Sequence, residues 1–164
     1  MRYYGNRSLS SILKKVLDVM LLFGIILFLL IGKNTFTQGF QGESGYLLIW
    51  VYVLFLVGST TLIYVVFQLR KIVQSLIGND PFTQENVHSL RRVWQGSFII
   101  ATCYFINFFI NASFKNFRLI YLDVNGIHTD FEFFIFFFAG IFLLILEKVF
   151  HKAVAYKEDH DLTI

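Results

Sequence analysis

The chain has 164 residues, 56% of them hydrophobic and only 15% charged, with one proline and a formal net charge of +3. A soluble domain carries about 25% charged residues, and 21 phenylalanines are more than one compact aqueous core uses. These figures exclude an ordinary water-soluble domain, and the lone Cys103 excludes a disulfide framework or a thiolate metal site.

The apolar residues come in blocks, and block length sets the class: a membrane helix needs about 20 mainly apolar residues. Four blocks approach or exceed that length, at 16–32, 46–69, 93–114 and 131–147. They predict an all-α integral membrane protein: one domain over 1–164, built as a four-transmembrane-helix bundle.

Arg2, Arg7, Lys14 and Lys15 precede the first block, which ends in Leu30-Ile31-Gly32-Lys33-Asn34. That ending lacks the small residues of a signal-peptide cleavage site, so the block is expected to stay as a span. Leu9, Ile12, Leu13, Val16, Leu17 and Met20 share one helix face, which predicts a helix starting near Ser8. Asp18 is an intramembrane ionisable group and so a candidate site. Lys14 and Lys15, four and three residues earlier, are its expected interfacial partners.

A short polar loop at 34–45 leads to the second block, whose Gly58-Ser59-Thr60-Thr61 run is a helix-packing face. This helix continues through Ile72, Val73, Leu76 and Ile77, about 10 Å past Arg70-Lys71. Gly78 and Pro81 then close it. Thr83 is the predicted N-cap of the third helix, with Phe82 and Val87 as a hydrophobic staple. The second and third blocks thus form a helical hairpin whose tip, at 70–92, extends beyond the membrane.

Tyr104, Asn107 and Asn111 lie on one face of the third helix. Their first reading is packing across helices, and a solute path is the rival. Asn111-Ala112-Ser113 also matches the glycosylation tripeptide, a pattern too short to carry weight. Farther on, 119–124 is rich in β-formers and Asn125-Gly126 is a hairpin turn signal, so a small external β-hairpin is expected. Thr129-Asp130-Phe131-Glu132 is a capping box that accounts for its acids without a binding role. The fourth block is aromatic in its outer half, suiting lipid-facing or inter-helix surfaces. It leaves the bilayer at Glu147-Lys148 and gives way to a polar tail, 148–164.

Lysine and arginine set the orientation. The N-terminal segment, the middle turn and the tail hold eleven, while the other two loops hold only Lys33, Lys115 and Arg118. Both termini and the turn at 70–92 are therefore expected in the cytoplasm. The positive charge marks topology, so direct nucleic-acid binding is not expected.

No Ser/His/Asp grouping, phosphate loop or H-E-x-x-H motif is present, and neither Glu85 with His88 nor His160 between two aspartates forms a metal set. The expectation is a protein that is not an enzyme and carries no cofactor or metal. Glu85, Asn86 and Arg91 are expected to hold the turn face together. Arg91 would grip Glu85, Glu147 or the tail acids in a two-pronged pair, with the tail folded back on the turn.

Pro81-Phe82-Thr83-Gln84-Glu85-Asn86, followed by Leu90-Arg91, resembles the P-F-x-x-E-N-x-x-x-L-R signature of the YoaS-like bacterial membrane proteins, a domain of unknown function. The ending is similar too, from Glu147 and Val149-Phe150 to Glu158 and the terminal Asp161-Leu162-Thr163-Ile164. Ala153 and Tyr156 depart from that pattern, standing where a glycine and a leucine are expected. The resemblance implies four spans and the motif residues Pro81, Phe82, Thr83, Glu85, Asn86, Leu90 and Arg91. It also implies a membrane partner or sequestering anchor for a small cytoplasmic helix-turn-helix regulator of the Cro/C1 type. The alternative is a small transporter or immunity-type protein using Asp18, Asn107 and Asn111. Beyond the lipid bilayer and such a regulator, the reading is compatible with a homo-oligomer.

Overall fold

The computed structural model describes residues 9–39, 45–77, 81–111, 121–123, 126–128 and 132–161. Four long helices dominate it: α1 (Leu9–Gly39), α2 (Gly45–Ile77), α3 (Gln84–Asn111) and α4 (Glu132–Asp161). Each is long and apolar enough to cross a membrane. At 33 residues α2 is about 50 Å long, more than the hydrocarbon core of about 30 Å requires. Strands β1 (Tyr121–Asp123) and β2 (Gly126–His128) pair antiparallel with Asp123 opposite Gly126. Gly126 therefore lies inside a strand, one step later than its expected place in the turn. Residues 129–131 of the capping box lie outside the described residues.

The helices pack in series, α1 on α2, α2 on α3 and α3 on α4. Among the described residues α1 makes no close approach to α4, so the expected bundle is an open row instead of a closed ring. The physical reason is that lipid chains are as apolar as leucine, so no hydrophobic force closes the ring. Among the described side chains of α1 only Leu17 is buried; most of its large apolar side chains, such as Leu22, Phe23 and Leu29, stay exposed.

Small residues bring neighbouring helices together. A Cβ added at Gly24 or Gly32 of α1 would meet Ile63 or Phe55 of α2 at 3.9 Å. Contacts thus move back along α2, from Ile63 to Phe55, as they move forward along α1, from Gly24 to Gly32, so α1 and α2 are antiparallel. Gly58 faces Cys103, and Gly96 is crossed so closely that a Cβ there would stand 2.5 Å from Val65 Cγ2. The expected packing run at 58–61 thus contributes Gly58 and Thr61 to α3, while Thr60 and Thr61 turn their hydroxyls back onto the carbonyls of Leu56 (2.6 Å) and Val57 (2.7 Å). Hydrocarbon offers these hydroxyls no water, so the preceding turn satisfies them.

The core is Val65, Val93 and Ile100, flanked by Leu69, Phe136 and Leu143. α3 is the least apolar of the four spans and the most buried. It can be less apolar because protein covers two of its sides. The phenylalanines of α4 divide as expected. Phe133 and Phe137 meet Phe105 and Phe98 of α3, whereas Phe138 and Phe142 point outward.

Candidate functional site

The turn between α2 and α3 begins its order at Thr83. Its carbonyl accepts from the backbone N–H groups of Asn86 (3.1 Å) and Val87 (3.2 Å), and its hydroxyl accepts from the Asn86 N–H (3.3 Å). That is an N-cap satisfying donors the first helical turn would otherwise leave bare. Asn86, buried, donates its side-chain amide to the Pro81 carbonyl at 2.8 Å and to Ser75 Oγ on α2. One amide therefore ties the turn, the end of α2 and the start of α3 together. Behind it Val87, Ser89, Leu90 and Val93 are buried.

α4 completes this end of the molecule. The stretch after Glu147, expected as a polar tail that folds back, is instead helix to Asp161 and runs directly alongside the turn. No proline or glycine follows Gly140, and Ala153, Lys152 and Glu158 are sound helix formers, so nothing stops α4 at the apolar boundary. Phe82 meets Phe150 at 5.5 Å between ring centres, and Gln84 Nε2 donates to Glu158 at 3.2 Å.

Arg91 takes Glu147 as its partner. Its Nε and Nη2 both donate to Oε1, at 3.2 and 2.8 Å. Both prongs fall on one oxygen; the second oxygen faces Lys148 Nζ at 3.6 Å and has no hydrogen bond among the described residues. Glu147 is only 1% exposed, while Arg91 keeps 43% of its side chain open. Glu85, by contrast, is exposed on the far side of α3 and takes no part in this pair.

Asp18 also has a different partner from the one expected. It accepts from Arg70 Nε on α2 instead of from Lys14 or Lys15 on its own helix. Those lysines lie on α1 where it is open to the surroundings, whereas Arg70 reaches across the α1–α2 contact. Both ion pairs occupy one height: Ser75 meets Asn86, and five residues up each helix, roughly 7.5 Å, stand Arg70 and Arg91. All four helices thus contribute one charge to a single layer.

The polar face of α3 lies farther into the apolar region. Tyr104 stacks on Phe136 at 5.7 Å, and Asn107 helps line a cavity of about 400 Å³ with Phe55, Ser59 and Cys103. The Asn111 side chain lies outside the described residues. Sequence reasoning missed Ser75, Gln68 and Trp94. Gln68 Oε1 and Trp94 Nε1 are buried without a hydrogen-bond partner among the described residues. A lone glutamine in the apolar run 62–69 was the available signal.

Among the described residues, no three histidine, cysteine, aspartate or glutamate side chains converge to hold a metal. The arrangement brings paired charges, a capped helix start and exposed aromatic rings to one end of the molecule. No curated protein and no solved structure matches the chain. The family described as "Protein of unknown function (DUF2975)" matches residues 19–164, and the chain belongs to that family.

Proposed function

We propose that this protein is a membrane anchor that holds a small helix-turn-helix regulator against the cytoplasmic face of the bacterial inner membrane. The observation that carries this reading is the composite end formed by the α2–α3 turn and the terminal turns of α4. Contacts from Phe82 to Phe150 and from Gln84 to Glu158 make these two parts one surface. It carries Phe82, 43% exposed, against α4 turns that bear the exposed acids Glu158 and Asp159, with Tyr156, 75% exposed, on the outer face of the same turns. The face with which a helix-turn-helix protein reads DNA is basic, because it must neutralise phosphates. Exposed acids and rings at this end of the molecule complement such a face, and a regulator held there would be kept from its operator.

In this reading the turn at 70–92 and both termini are cytoplasmic, and the β1–β2 hairpin is external. The rival, a transporter or immunity-type protein, would draw on the cavity beside Asn107.

Co-expression with a small helix-turn-helix regulator of the Cro/C1 type, followed by capture from detergent, tests the anchor. Capture is expected from the native chain and is expected to fall at least about ten-fold for Tyr156→Ala with Glu158→Arg, since interface anchors of this kind each contribute 1–2 kcal/mol or more. Equal capture by both chains, or a captured regulator that still binds its operator, overturns the anchor. Loss of function on Asn107→Ala with capture intact would favour the rival.

A further inference from the structure

The charge layer is strongly one-sided. Asp18 and Glu147 are its two carboxylates, and each is already engaged by one arginine. Within about one helical turn of those pairs stand six more cations, drawn from all four helices: Lys14 and Lys15 on α1, Lys71 on α2, Arg92 on α3, and Lys148 and Lys152 on α4. Lys15, Arg92, Lys148 and Lys152 are exposed, and Lys14 and Lys71 half-buried. Among the described residues, Lys14, Lys15, Arg92 and Lys152 have no carboxylate partner. Glu85 is the next acid, half a turn farther from the apolar spans.

Six like charges at one height repel each other unless anions sit among them. The height also identifies the anion, because the belt lies where all four apolar spans end, which is the level of phospholipid phosphates. Lysine and arginine at that level attract an anionic leaflet, and each contributes about five-fold to the association. Lys71 is held in place by the Phe67 ring, 5.4 Å from its centre, so its charge is presented at the boundary instead of swinging free.

We infer that this belt is a binding site for anionic phospholipid headgroups, with Lys15, Arg92 and Lys152 as phosphate ligands and the two ion pairs as the scaffold that spaces them. The belt requires only a membrane boundary, so it stands or falls separately from the regulator reading.

The test uses the full chain in nanodiscs of phosphatidylcholine, with and without phosphatidylglycerol. The native protein should retain phosphatidylglycerol through detergent exchange and unfold at a higher temperature in the anionic discs. A chain carrying Lys15→Gln, Arg92→Gln and Lys152→Gln should hold that lipid at least about ten-fold more weakly, with an unchanged unfolding temperature in phosphatidylcholine. A purified chain has no orientation left to choose, so this readout is separate from the role of lysines in topology. Equal retention by both chains overturns the site, as does equal stabilisation by inorganic phosphate in phosphatidylcholine discs. If the triple variant does not fold, the three single variants must show a graded loss of retention, and its absence also overturns the site.

Discussion

Arg91 and Glu147 form one pair, but the two sides of it are not equivalent. Glu147 is 1% exposed and cannot reach water when its partner is removed, whereas Arg91 has 43% of its side chain open and can. Breaking a buried pair costs about 3–5 kcal/mol when the group left behind stays buried and charged. Arg91→Ala should therefore destabilise the protein by an amount in that range, eased in part by Lys148 at 3.6 Å. Glu147→Gln leaves only an arginine that can turn outward, and should cost less than half as much. Thermal unfolding of the two variants in detergent checks the asymmetry, and equal losses would show that the pair is merely solvated. Arg91 and Glu147 were both legible as candidates because they are charged residues at the ends of apolar blocks. Their pairing was one of three choices, since a distance of 56 residues in sequence leaves no local periodicity to follow. For Asp18 the nearby lysines at i−3 and i−4 gave the wrong answer, because local spacing says nothing about an arginine across a helix contact.

Individual helices were legible from block length, but the contacts between them rest on residues that carry little sequence signal. Gly96 is the clearest case. It sits in a polar stretch, Trp94-Gln95-Gly96-Ser97, and nothing there announces that α2 crosses it. A methyl group at Gly96 would lie 2.5 Å from Val65 Cγ2 and 3.4 Å from Thr61 Cγ2. Valine is stiff about χ1 in a helix, so it cannot simply swing aside. Gly96→Ala is thus expected to force α2 and α3 apart at a cost of about 1–3 kcal/mol, and adding Val65→Ala should restore part of it. A double-mutant cycle on unfolding temperature checks this, with strict additivity as the outcome against it. Gly140→Ala on α4 should be milder. Its nearest neighbours are Phe98 ring atoms at 3.0–3.2 Å, and a ring can tilt by the few tenths of an ångström required. The length of α4 was illegible for a related reason: a solvated helical end such as Lys152–His160 has no apolar stripe to mark it, only the absence of breakers.

For the molecule as a whole, alternation and charge point to the same arrangement. Neighbouring helices run antiparallel, so four spans bring the start of α1, the α2–α3 turn and the end of α4 to one side. That side carries the ion-pair layer and, among the described residues, nine of the ten lysines and arginines. Moving so many charges through a bilayer is opposed by their hydration, and lysine-rich ends remain in the cytoplasm. Reporter fusions after Gly42, Asp80 and Gly126 turn this into a three-point prediction. The Asp80 fusion should report a cytoplasmic position, and the Gly42 and Gly126 fusions an external one. The two acids strengthen the expectation instead of weakening it, because Asp18 and Glu147 are held by arginines and acidic residues contribute little to orientation. Removing lysines from that side while adding them at the loop between α1 and α2 should progressively mix the two orientations. An external signal from the native Asp80 fusion, or a cytoplasmic one from Gly42, would place the composite surface where no cytoplasmic regulator can reach it, and the anchor reading would fail with it.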